Sequence, residues 1–174
     1  MAELVPKDEW GATHAIGHEV FFLDIYRLLT HCLASAAIAA LEDGTSQRPL
    51  STFVTPNEQP EISRLLINIA TYYRVKDDDG SWMHGHWLHK SFAGVGILVE
   101  DITKTTVTSS LDFRAACNKI IHAKKVHFDG ETRVDTGVLH ITPTVFLYGV
   151  KQKVEWKVTL DIVAFCRAAG NVIV

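Results

Sequence analysis

The spacing of apolar residues changes along the chain, from a helical repeat in the first half to a two-residue alternation near the end. Val20 to Leu41 is apolar around most of a helical circumference, which predicts a long helix over His18–Glu42. One polar stripe interrupts it, because Asp24, Arg27, His31 and Ser35 follow steps of three, four and four and share a face. The bland reading of this stripe is a solvent-facing row with an Asp24–Arg27 pair, and its functional reading is a second group that orients an imidazole. Gly44 and Pro49 end the segment and open a loop rich in Ser and Thr. Asn57 is placed to cap a second helix over Glu58–Val75, with Pro60 still in its first turn. Ile62, Leu65, Leu66, Ile69 and Tyr73 keep the helical period, and the run stops at the solvated turn Asp77-Asp78-Asp79-Gly80.

Gly94 to Glu100 reads as a short strand, and Ser109 or Ser110 is placed to cap a third helix over Leu111–Lys125. A loop is expected through Asp129-Gly130. Beyond it, Val154, Trp156, Val158 and Leu160 alternate with Glu155, Lys157 and Thr159, which predicts an antiparallel hairpin over Thr144–Leu160 turning near Gly149 to Lys153. Asp161 to Ala169 closes the chain as a helix, with Gly170 placed to terminate it. The expected fold class is therefore α+β in a single domain over residues 1–174, mainly a helical bundle of about four main helices with a small antiparallel hairpin.

Composition adds limits to this outline. With 174 residues and 47% hydrophobic content, the chain can bury a core without disulfides or metals. A formal charge of −3 gives no global attraction to nucleic acid or anionic membranes, so any nucleic-acid site has to be a local basic patch. Cys32, Cys117 and Cys166 are odd in number and form no CxxC pair, which argues against a disulfide framework and a thiolate zinc site. A reducing, cytoplasmic setting is expected. The start MAELVPKDEW lacks the basic and apolar regions of a signal peptide. Val20 to Leu41 is about long enough to span a bilayer, but Asp24, Arg27 and His31 lie within it, so a core helix and no membrane partner are expected.

The densest chemistry lies in the third predicted helix. Arg114, Asn118 and His122 are spaced four and four, so they stack on one face. A guanidinium can clamp a phosphate through paired hydrogen bonds, an imidazole can move a proton near neutral pH, and an amide can orient either. Lys119, Lys124, Lys125 and Arg133 add positive charge nearby. The alternative is a solvated arginine and asparagine beside an ordinary hydrogen-bonded histidine.

On Asn118 and His122 the chain resembles the HEPN superfamily, helical bundles that include RNA-cleaving toxins and phage-defence proteins. Their motif has an arginine, often directly before an asparagine, and a histidine four residues after that asparagine. Cys117 occupies the usual arginine position here, and Arg114 lies one turn earlier. The resemblance covers about fifteen residues of motif, and the hairpin lies outside the minimal bundle. It implies a homodimer in which two copies of the motif meet, with Arg114, Asn118 and His122 cleaving RNA without metal or cofactor. RNA and an antitoxin or other protein are the implied partners. A non-catalytic interaction module of the same type is the alternative, with Cys117 marking a lost arginine.

A second cluster, Trp82-Met83-His84-Gly85-His86-Trp87-Leu88-His89, holds three imidazoles at HxHxxH spacing, so a histidine–metal protein is a third reading. No nearby carboxylate or cysteine completes a shell, and aromatics around a glycine more often form a packed loop. The chain has no GxGxxG, Walker, GxSxG or HExxH motif, which leaves nucleotide hydrolysis and serine hydrolysis without support.

Overall fold

A computed structural model of the chain describes residues 18–43, 47–78 and 93–171. The elements are α1 (His18–Ala39), α2 (Pro49–Asp78), β1 (Ala93–Val99), β2 (Ser109–Asp112), α3 (Phe113–Ile121), β3 (Lys125–Thr132), β4 (Leu139–Lys151), β5 (Val154–Asp161) and α4 (Ile162–Asn171). All five strands join one antiparallel sheet in the order β2-β1-β5-β4-β3. The fold is α+β, but the expected helical bundle with a small hairpin is wrong. The helices share one core with a five-stranded sheet.

The hairpin is where the alternation predicted it. Gln152 and Lys153 take φ of 50° and 68°, the left-handed pair that a two-residue turn needs to match strand twist. Inside the hairpin Gly149 is a steric requirement, since a Cβ there would lie 2.2 Å from a ring carbon of Trp156. Three other expectations fail. Ser109 and Ser110 belong to strand β2 rather than capping a helix, and Asp129-Gly130 lies inside β3 rather than in a loop. The third helix has nine residues instead of running over Leu111–Lys125. It ends because the Lys124 amide donates to the Tyr148 carbonyl at 2.7 Å, pulling the next residues into the sheet.

Helix α2 begins far ahead of the predicted Asn57 cap. Pro49 occupies its first position, where a missing N–H costs nothing. The buried Glu42 carboxylate caps this end, accepting from the Ser51 amide at 2.7 Å and the Ser51 hydroxyl at 2.8 Å. Pro56 and Pro60 therefore sit in the helix interior, where each costs about 3 kcal/mol. Asn57 turns its amide back to the Phe53 carbonyl instead of capping. Packing offsets the prolines, because Ile62, Leu65, Leu66, Ile69, Ala70 and Tyr73 are all within 1% of full burial.

Rings connect the layers. Phe21 stacks on Tyr72, Tyr73 meets Phe113 edge-on, and Phe113 lies beside Phe165. The Tyr73 hydroxyl donates to the Ala169 carbonyl, tying α2 to α4. Against the expectation of a solvent-facing stripe on α1, Asp24 and Ser35 are buried. Ser35 Oγ accepts from the Ile141 amide at 3.0 Å, covering β4 where it runs past β5. Asp24 receives a hydrogen bond from Asn68 and makes no ion pair with Arg27. Helix α1 is long and apolar enough to cross a membrane by length and composition. In the fold it buries one stripe, Phe21, Asp24, Leu28, Cys32, Ser35 and Ala39, and leaves Phe22, Tyr26 and Leu33 exposed, so it is less buried than a core helix was expected to be.

Candidate nucleic-acid interface

Asp112 starts α3 by accepting from the Ala115 amide at 2.7 Å, and the helix buries Phe113, Ala116, Cys117 and Ile120. His122 follows the last turn, yet its amide still donates to the Asn118 carbonyl at 3.1 Å. Arg114, Asn118 and His122 therefore stay on one helical row, as their spacing predicted.

Their surroundings differ. Arg114 Nε donates to Asp77 Oδ2 at 2.6 Å, and the same carboxylate oxygen takes Arg74 Nη1 at 3.0 Å. The guanidinium meant for a phosphate is thus bound to a carboxylate from the end of α2. Cys117 is 1% exposed, and burial pushes its thiol far above the usual range, so it is an inert packing residue. Asn118 is half-buried, and His122 is exposed.

Around the end of α3 and in the sheet beyond it the lysines concentrate. Lys119 lies over the Trp156 ring at 4.2 Å, and burial lowers its ammonium pKa, with Lys151 nearby adding like-charge repulsion. Lys124 is held at Tyr148 by its backbone, Lys151 ends β4 and Lys153 lies in the β4–β5 turn. Residues directly opposite on neighbouring strands share a face, so Lys125, Tyr148, Lys157 and Val99 form one row across four strands. The adjacent row is His127, Phe146, Thr159 and Ile97. These rows face away from the helices, whose side of the sheet holds the buried Val145, Leu147, Trp156, Val158 and Leu160. No residue of either outer row is fully buried.

On that open face the Lys157 ammonium sits 4.6 Å from the Phe146 ring centre and 5.9 Å from that of Tyr148. The His127 ring is 5.3 Å from that of Tyr148. Arg64, Arg74, Lys104, Arg114 and Arg133 all have carboxylate partners. Lys119, Lys124, Lys125, Lys151, Lys153 and Lys157 form no ion pair among the described residues. Lys125 and Lys157 share the open face with the Phe146, Tyr148 and His127 rings.

The sequence reading counted Lys119, Lys124, Lys125 and Arg133 as nearby charge, but Arg133 is spent on Asp135 at 2.6 Å. It missed His127, Phe146, Tyr148 and Lys157. The usable signal was the polar half of the hairpin alternation, which puts aromatic and basic residues on the same side. His84, His86 and His89 lie outside the described residues. Among the described residues, no group of three or more His, Cys, Asp or Glu side chains is placed to hold a metal ion. Compared with protein-family models, curated proteins and solved structures, the chain matches none.

Proposed function

We propose that this protein binds single-stranded RNA across the lysine-rich end of its open sheet face. The observation that carries the reading is Lys125 and Lys157, without ion-pair partners among the described residues, on the same open face as Phe146, Tyr148 and His127. Bases stack on such rings while ammonium groups follow the phosphates, and neither contact needs metal. His122, three residues before Lys125, and Asn118, one turn earlier on α3, each offer a hydrogen-bonding group for a ribose hydroxyl. Arg114 has no phosphate role in this scheme, because Asp77 already holds it. Cleavage by the Arg114–Asn118–His122 row and pairing of two α3 helices in a homodimer are what the family resemblance adds. A non-catalytic protein-interaction module is the second reading, favoured by the buried Cys117 and the occupied Arg114.

Fluorescence anisotropy with a labelled single-stranded RNA of about 12 nucleotides, within the usual site sizes of such surfaces, tests the proposal. Saturable, salt-sensitive binding is expected. Lys124→Ala, Lys125→Ala and Lys157→Ala combined should remove about 2 from the slope of log affinity against log salt, at about 0.7 per phosphate contact. Arg133→Ala should leave the slope unchanged. Equal binding by the triple variant and wild type, or no binding by either, removes the proposal. Chelator-resistant cleavage that leaves a 2′,3′-cyclic phosphate and disappears in His122→Ala would add the nuclease step. Sedimentation of the same samples measures whether a dimer forms.

A further inference from the structure

The first half of α1 and the second half of α2 enclose a cleft of about 440 Å³ lined mainly by apolar surface. This volume lies within the range of small-molecule sites, about 300–1,000 Å³. One wall is Phe21 stacked on Tyr72, with ring centres 4.2 Å apart. Asp24, only 7% exposed, also lines the cleft. Among the described residues its one hydrogen bond comes from Asn68 Nδ2 at 3.3 Å, which is long for a bond to a carboxylate.

A carboxylate has about four acceptor positions, and burying it beside a single neutral donor is costly unless another donor arrives. The nearby cations do not provide one. Arg64 is bonded to Glu61 through two nitrogens, and Arg27 makes no ion pair among the described residues. The site therefore has an acceptor-only group on an aromatic, apolar wall. That combination selects a cation with several N–H donors attached to an apolar body.

Lys76 lies at the other end, its ammonium 6.0 Å from the Tyr72 ring centre. We infer that the α1–α2 cleft is a binding site for a small amine with an aromatic body, its ammonium on Asp24 and its ring against Tyr72. The inference does not depend on RNA binding, since the cleft and the lysine-rich sheet rows are built from different residues.

Titration of the full chain with phenethylamine, followed by calorimetry and by NMR of the tyrosine resonances, tests it. Saturable binding is expected in the micromolar to millimolar range, with phenethyl alcohol at least about tenfold weaker because it lacks the charge. Asp24→Asn should weaken the amine by about tenfold or more and leave the alcohol unchanged. Val75→Trp should block both by filling the cleft, with circular dichroism showing that each variant is folded. Equal affinity for amine and alcohol, undiminished binding by Asp24→Asn, or no saturable binding of phenethylamine to wild type overturns the site.

Discussion

The two ends of α3 carry the same kind of positive charge and put it to opposite uses. At the first turn Arg114 is drawn into a carboxylate shared with Arg74, and its charge is consumed in joining α3 to α2. Past the last turn Lys124 and Lys125 lead into the sheet with no carboxylate partner among the described residues. Backbone pairing with β4 places them there. What separates the two ends is the partner supplied from elsewhere in the chain. Asp77 is 37 residues from Arg114 in sequence and 2.6 Å away in space.

The strongest way to break this comparison is Cys117→Arg, the change that would rebuild the arginine motif between the two ends. Position 117 is 1% exposed within the helix–sheet core. An unpaired guanidinium there should cost about 3–5 kcal/mol, enough to empty the native state of a marginally stable domain. Loss of a cooperative thermal transition or of soluble protein is the expected result. A folded Cys117→Arg protein would mean that α3 can turn this face outward.

Arg114→Ala comes next. It removes a half-buried, charge-assisted bond and should lower stability by about 1–2 kcal/mol in denaturant unfolding, reduced from a fully buried value by its partial exposure. RNA affinity should stay within about twofold of wild type, because this end of α3 is the structural one. A large fall in affinity with unchanged stability would reverse the assignment of the two ends. Lys119→Met should be milder, losing about 0.5–1 kcal/mol through the contact with Trp156.

The smallest change sharpens the contrast between carboxylates. Asp77 is neutralised by two arginines, whereas Glu58 is buried with Ser35 and receives only weak attraction from His31 and His140. Burial raises the Glu58 pKa, so the folded state holds this proton more tightly than the unfolded state. Its effect is absent below the ordinary glutamate range, and stability falls as pH rises from there through the raised value. Glu58→Gln should melt higher than wild type at neutral pH and equally at strongly acidic pH. A variant that melts lower at neutral pH would show that the Glu58 charge is compensated.

Where a periodic run was long or bounded by strong turn residues, its identity could be read directly. The α1 run, the Gly94–Glu100 strand, the β4–β5 hairpin and the closing helix all appear close to their expected limits. The register of Arg114, Asn118 and His122 was legible too, because four-residue steps place side chains together in any helix. Other boundaries were hidden. Ser109 and Ser110 resemble a helix cap by residue type, and they become a strand because they pair with Leu98 and Ile97. Lys125 to Thr132 has little apolar content, and its strand state comes from the β4 ladder. Pro56 and Pro60 signal a break that the buried second half of α2 overrides.

The sequence by itself determined the periodicities, the hairpin turn and the inventory of charges, since these depend on neighbours a few positions apart. Tertiary structure decided that the helices cover a sheet, that Arg114 is spoken for and that Cys117 is sealed. It also brought Lys125, Lys157, His127, Phe146 and Tyr148 onto one face, through registers spanning three strands. Strand pairing and charge neutralisation are long-range, and a carboxylate or a partner strand far along the chain leaves no periodic trace where it will act.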